Sequence, residues 1–173
     1  MPKNLTQLSK IETLDLSKNA LTTLPSDFTD LKRVKVLILS DNAFRTIPEA
    51  IKALGRLECL EMKRNRLSNH QGDLVLNIPP RLKILDLKEN NSLRSLPDGL
   101  EDLEGTESLD FSYCGIEVLP ESIGKLSSLK EIHLAGNKLR KLPDSIGRLL
   151  NLETLDLEGN GRLSRLPLTL HNL

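Results

Sequence analysis

The chain has no tryptophan, one tyrosine and three phenylalanines in 173 residues, so its core has to be aliphatic, assembled from many similar small contributions. Its two cysteines, Cys59 and Cys114, are too few for a disulfide scaffold, and no pair of Cys or His has zinc-ligand spacing. Reduced thiols in the cytosol are the simpler expectation. The three histidines, His70, His133 and His171, are too far apart to share a metal ion or a catalytic triad. Net charge is missing too. With 24 basic residues against 24 acidic ones, the molecule offers no overall electrostatic pull on nucleic acid or an acidic membrane. No run approaches the roughly 18 apolar residues of a membrane span, and Met1 to Gln7 contains no apolar signal region. The phosphate-cradling sequences G-x-x-x-x-G-K-S/T and G-x-G-x-x-G are absent as well. These absences point to a cytoplasmic protein with no cofactor, no metal, no nucleic acid partner and no membrane insertion.

Leucine, by contrast, is abundant and falls at fixed intervals. The pattern L-x-x-L-x-L-x-x-N-x-L begins at Ile11, Val34, Leu57, Leu82, Thr106, Leu129 and Leu152, at spacings of 23, 23, 25, 24, 23 and 23 residues. Period-two alternation within each L-x-L predicts a short strand with one face buried and one wet. Stacking such strands about 4.8 Å apart makes a parallel sheet. Parallel sheets are usually covered on both faces, so a wet face is free to bind. The column Asn19, Asn42, Asn65, Asn90, Asn137 and Asn160 falls where the chain turns inward. An amide that both donates and accepts can satisfy the turn's backbone there. Cys114 takes this place in the fifth repeat with only a weak S–H donor, and the Asn ladder is expected to be weakest at that point. The returning limbs, Leu24-Pro25 through Leu166-Pro167, read Leu-Pro-x-x-Ile-x-x-Leu. Proline at the start and apolar residues three apart predict a short helix or 3-10 turn. One further column, Glu12, Lys35, Glu58, Lys83, Glu107, Lys130 and Glu153, alternates in sign. It predicts charge pairs between stacked neighbours, each worth about 0 to 1 kcal/mol.

Over essentially its whole length the chain resembles the leucine-rich-repeat family. The resemblance implies an α/β repeat fold: a right-handed solenoid bent into a horseshoe arc, with a concave parallel sheet of about seven strands and convex helical or 3-10 turns. It implies a single domain over residues 1–173, with a partial repeat over 1–10 and seven repeats starting at residues 11, 34, 57, 82, 106, 129 and 152. The 23-residue Leu-Pro type is similar to intracellular Ras-group and scaffold proteins and to bacterial effectors. Tyr113 to Leu129 is similar to repeats of plant intracellular immune receptors. Such relatives imply a non-catalytic module that binds another protein on its concave face, in intracellular signalling or host interaction, in the host cytosol for an effector. The alternative is a substrate-targeting or autoinhibitory arm of a larger enzyme, such as a kinase, GTPase or ubiquitin ligase, with its catalytic part outside this chain.

The exposed strand positions can be arranged in columns. Between the two strand leucines stand Asp15, Ile38, Glu61, Asp86, Asp110, His133 and Asp156, mostly acidic. Val36, Ile38, Cys59 and Ile84 form an apolar island across repeats two to four, with Lys63, Arg64 and Lys88 beside it and Tyr113 further along. An apolar centre with a charged rim is interface anatomy. Glu61, Asp86 and His133 complete the expected partner-binding set. Two more columns, Ser17 to Glu158 (with Ser40, Ser112 and Ala135) and Lys18 to Gly159 (with Asp41, Glu89 and Gly136), are expected to continue the exposed strand. The third repeat breaks the rule. After Leu67 it lacks Leu-Pro and runs two residues long, so Ser68 to Arg81 is expected to be an irregular limb and a second place for binding groups. At the N-terminus, Pro2, Leu5 and Leu8 align with Pro25, Phe28 and Leu31. Without polar caps, both ends are expected to be covered by further repeats or another chain.

Overall fold

The structure, a computed structural model, describes residues 10–69 and 74–173. Seven strands of three residues each pair in sequence order, all parallel: β1 (Thr13–Asp15), β2 (Val36–Ile38), β3 (Cys59–Glu61), β4 (Ile84–Asp86), β5 (Ser108–Asp110), β6 (Glu131–His133) and β7 (Thr154–Asp156). The sheet register is the repeat register. Leu14, Leu37, Leu60, Leu85, Leu109, Ile132 and Leu155 lie directly opposite one another across the sheet. From β2 to β6 these inward side chains are wholly buried, so a one-residue slip would put every one of them in water. All three phenylalanines, Phe28, Phe44 and Phe111, sit in the same continuous core.

Below the strands, the asparagine column joins each repeat to the one before. Asn65 donates to Leu39 and Met62 carbonyls at 3.0 and 3.1 Å and accepts the Phe44 N–H at 3.1 Å. Asn137 accepts three N–H groups, from Cys114, Gly115 and Ile116. Cys114 keeps the donor half of the role, its thiol pointing at the Leu87 carbonyl at 3.2 Å. A thiol has no amide oxygen to accept with, a loss separate from the weak S–H donor on which the expectation rested.

The returning limbs form 3-10 turns at Ser26–Asp30, Glu49–Ala53, Glu101–Leu103, Glu121–Lys125, Asp144–Arg148 and Leu168–Asn172. Five of them follow an extended proline whose carbonyl takes the first turn's N–H, as Pro120 does for Ile123 at 3.1 Å. Gly124 and Gly147 let the last turns stack in contact, since a Cβ there would overlap the carbonyl oxygens of Ser145 and Thr169.

Among its described residues, the third repeat's limb forms no 3-10 turn. Leu74, Leu76 and Ile78 fill the core instead, with Val75 between them 64% exposed. Asn77 turns the backbone left-handed at φ 44° within this alternation, so the limb is irregular, as the sequence predicts. A groove opens beside it, lined by Lys52, Ile78, Pro80, Glu101, Asp102 and Gly105, and the Lys52–Asp102 ion pair spans repeats two and four at 4.0 Å. Of the expected charge ladder, three junctions pair: Lys35–Glu12 at 2.9 Å, Lys83–Glu58 at 3.7 Å and Lys130–Glu107 at 2.7 Å. All six side chains are roughly half exposed, so the pairs guide register more than they stabilise. At the last repeat Leu152, Leu155 and Leu157 are only half-buried, whereas their counterparts Leu129, Ile132 and Leu134 are wholly buried. Pro2, Leu5, Leu8 and His70 lie outside the described residues.

Candidate functional site

Strand register assembles the wet face. Val36, Cys59 and Ile84 are direct neighbours across β2, β3 and β4, and Ile38 stands two residues along β2. The expected apolar island is therefore contiguous, bounded by Thr13 on β1 and Ser108 on β5. Ile84 is 43% exposed, and Val36, Ile38 and Cys59 are half-buried. Burial, reinforced by Glu61 and Asp86, pushes the Cys59 thiol up, so it presents apolar surface rather than a nucleophile. Cys114 lies beneath the sheet, and burial pushes its thiol up to about 12. Both cysteines are free.

Beside the island runs a packed set of charges. Lys63 lies between Glu61 at 3.2 Å and Asp86 at 3.1 Å. Burial works against its charge, but the hydrogen bonds and charges of Asp86 and Glu61 outweigh that and hold its pKa above the ordinary range. Arg64 forks onto Asp41 at 2.6 and 2.8 Å and reaches Glu89 at 3.6 Å. Its hydrogen bond holds the Asp41 carboxyl below the usual range. Lys88 stands 5.7 Å from the centre of the Tyr113 ring, within cation–π range. Tyr113 is 49% exposed and lies against Gly136, where an added Cβ would overlap the ring. His133, on β6, sits between Glu131 at 3.9 Å and Asp156 at 3.8 Å. The structure thus brings Val36, Ile38, Cys59, Ile84, Glu61, Lys63 and Asp86 into one patch, with Arg64, Lys88 and Tyr113 on its rim. His133 lies two strands from Asp86.

Two columns differ from expectation. Ser40, Ser112 and Ala135 are buried, not exposed, because this column lies against the following repeat's backbone; the Ser40 hydroxyl accepts the Lys63 N–H at 3.2 Å. The next column is no strand at all. Lys18, Asp41, Arg64, Glu89, Tyr113, Gly136 and Gly159 all adopt left-handed conformation, with φ between 48° and 70°. The chain must turn here to bring the asparagine inward. Glycine at two of the seven positions was the available sign.

The acidic column also has a task that the sequence reading overlooked. Asp15, Asp86, Asp110 and Asp156 each accept the N–H two residues on, from Ser17, Lys88, Ser112 and Glu158, at 2.8, 3.1, 2.8 and 3.0 Å. Such turns close the strand ends. The recurrent Asp three residues ahead of the left-handed position could have revealed them. Among the described residues, no cluster of three His, Cys, Asp or Glu could hold a metal ion, and no helix is long and apolar enough to cross a membrane.

A family profile described as leucine rich repeat matches residues 9–67 and 106–161, and a second of the same description matches 151–173. The stretch outside both contains the irregular limb. No curated protein sequence matches the chain. Among solved structures, it is similar to a leucine-rich-repeat protein of Leptospira interrogans, with 28% identity and a TM-score of 0.72 over 100% of this chain and 49% of the other. It is similar to the PEPR1–AtPEP1 crystal structure, with 32% identity and a TM-score of 0.76 over 99% of this chain and 25% of the other. It also resembles the Toll–Spatzle complex of Drosophila, with 27% identity and a TM-score of 0.76 over 90% of this chain and 21% of the other. The chain therefore spans half or less of each of these proteins.

Proposed function

Since the chain belongs to the leucine-rich-repeat family, we propose that it is a non-catalytic module that binds a protein partner on its concave sheet, over β2 to β4. Domains of this family are generally protein–protein interaction modules, and two of the similar structures are themselves complexes, PEPR1 with AtPEP1 and Toll with Spatzle. The observation that carries the reading is the unbroken row Val36, Cys59 and Ile84, on a face that no other element covers among the described residues. Fixed register holds it rigid, so binding there orders few groups. Glu61, Lys63, Arg64, Asp86, Lys88, Tyr113 and His133 supply the polar rim. The proposal extends to intracellular signalling or host interaction in the cytoplasm, for which the two free cysteines are the support. No residue favours the alternative of an enzyme's targeting arm. The half-buried leucines of the last repeat suit a further repeat or another chain at that edge.

Affinity purification from the source organism's lysate, with the intact protein and a folded Ile38→Asp variant side by side, tests the proposal. Partners should disappear from the variant alone. Identical partner sets would move the site away from the sheet.

A further inference from the structure

We infer that the segment bound on this face is an extended peptide with two parts, an aliphatic or aromatic side chain over β2 to β4 and a lysine or arginine over β5 to β7. The inference rests on the concave-face reading and adds the partner's chemistry.

It starts from the last three repeats. Their wet columns carry Asp110, Glu131, Asp156 and Glu158 and not one lysine or arginine, on a chain whose basic and acidic residues balance. Lys130, one residue outside these columns, is tied to Glu107 at 2.7 Å. The cations of the face, Lys63, Arg64 and Lys88, all lie in repeats three and four. Charge is thus segregated along the arc.

The fold does not need these negative charges. The strand-end turns at Asp110 and Asp156 use one oxygen, the Oδ1 that accepts the N–H of Ser112 and of Glu158. Asparagine would serve that turn as well. The charge also carries a cost, because Asp86 and Asp110 stand directly opposite across β4 and β5, and like charges in that position destabilise a sheet. Lys63 offsets Asp86 from the β3 side. Among the described residues, Asp110 has no ion-pair partner within 4.0 Å. A cation brought by the partner would sit above His133, which stands between Asp110 and Asp156 on β6, and would offset the charge that Asp110 carries opposite Asp86. The same field repels a phosphate backbone, which excludes nucleic acid from this half.

Spacing follows from the sheet. Three strand intervals of about 4.8 Å separate the island from the acidic half by about 14 Å. Extended chain covers that in about four residues. The apolar anchor and the cation of the partner should therefore be about four residues apart.

The test is selection of random linear peptides displayed on phage against the intact chain. One enriched sequence, made synthetically, is then titrated by calorimetry at low and high salt against the wild type, Asp110→Asn/Asp156→Asn and Ile38→Asp. Because asparagine keeps the strand-end turns, the double variant should melt like the wild type. Enriched peptides should pair an apolar residue with lysine or arginine about four residues away. Affinity should fall at least tenfold in the double variant, with a shallower salt dependence, and should also fall in Ile38→Asp. Three results overturn the inference: no linear peptide is enriched, the enriched peptides lack a cation, or the double variant binds at wild-type affinity. If Ile38→Asp alone abolishes binding, the concave face stands and only the basic partner is refuted. If neither variant matters, both fall.

Discussion

Asp86 shows how one side chain can serve the fold and resist it. It accepts the Lys88 N–H at 3.1 Å and pairs with Lys63 at 3.1 Å, yet burial, with the like charge of Asp110, raises its carboxyl above the ordinary range. A carboxyl raised in the folded state contributes most to stability while protonated. That contribution is lost as the pH rises through its folded pKa. Asp86→Asn keeps an oxygen for the Lys88 N–H and removes the titration. Relative to wild type, the variant should therefore gain stability as the pH is raised from about 3 to about 7, a window set by ordinary carboxylate pKa values. Denaturant unfolding at several pH values measures this. A variant that loses ground steadily over the same range would show that the Lys63 pair outweighs burial. Residue identity was the most legible level for the core and the least legible for the acidic column. A leucine every few positions has one physical use, whereas an aspartate at a strand end can bind a partner, close a turn or do both, and here one of its oxygens closes the turn.

At the level of elements, the two periods in the sequence carry the prediction. Alternation in L-x-L became seven strands in the expected places, and Leu-Pro-x-x-Ile became 3-10 turns after extended prolines. The left-handed column escaped because five of its seven members are not glycine, and a strand reading continues naturally into it. The missing Leu-Pro marked the third limb as irregular, which its described residues are, but it did not show that Leu74, Leu76 and Ile78 fill the core. How closely the turns stack has a direct consequence. Gly147→Ala would force the Asp144–Arg148 turn off the Thr169 carbonyl and should cost about 2 kcal/mol, in the range of overpacking. Gly55 has no heavy atom within 4 Å of an added Cβ. Gly55→Ala should be neutral or stabilise by about 0.5 kcal/mol, by narrowing the unfolded ensemble. Thermal melts of the two variants decide, and equal losses would mean that turn contact is not what glycine provides at position 147.

Across the molecule, stability is a sum over repeats and their interfaces, and the interfaces are unequal. Among the described residues, no 3-10 turn stands between Glu49–Ala53 and Glu101–Leu103, whereas the last three turns stack in contact. Hydrogen exchange should be faster for amides of residues 74–82 than for those of residues 129–150, and uniform protection would contradict a weak third junction. The architecture was legible because seven copies of one motif repeat the same information. The candidate site was legible only in part. The apolar island could be placed from sequence because columns map to rows once register is known, but which charges are already spent within the chain, such as Lys63 and Arg64, depends on side-chain reach that spacing does not encode. The central claim is that this row is where a protein partner binds. The most direct measurement is the affinity of a captured partner for two folded variants, Ile84→Asp on the concave face and Leu150→Asp, at a residue 74% exposed ahead of β7. The account predicts at least a tenfold loss for the first and none for the second. Unchanged affinity in Ile84→Asp, or a loss confined to Leu150→Asp, would contradict it.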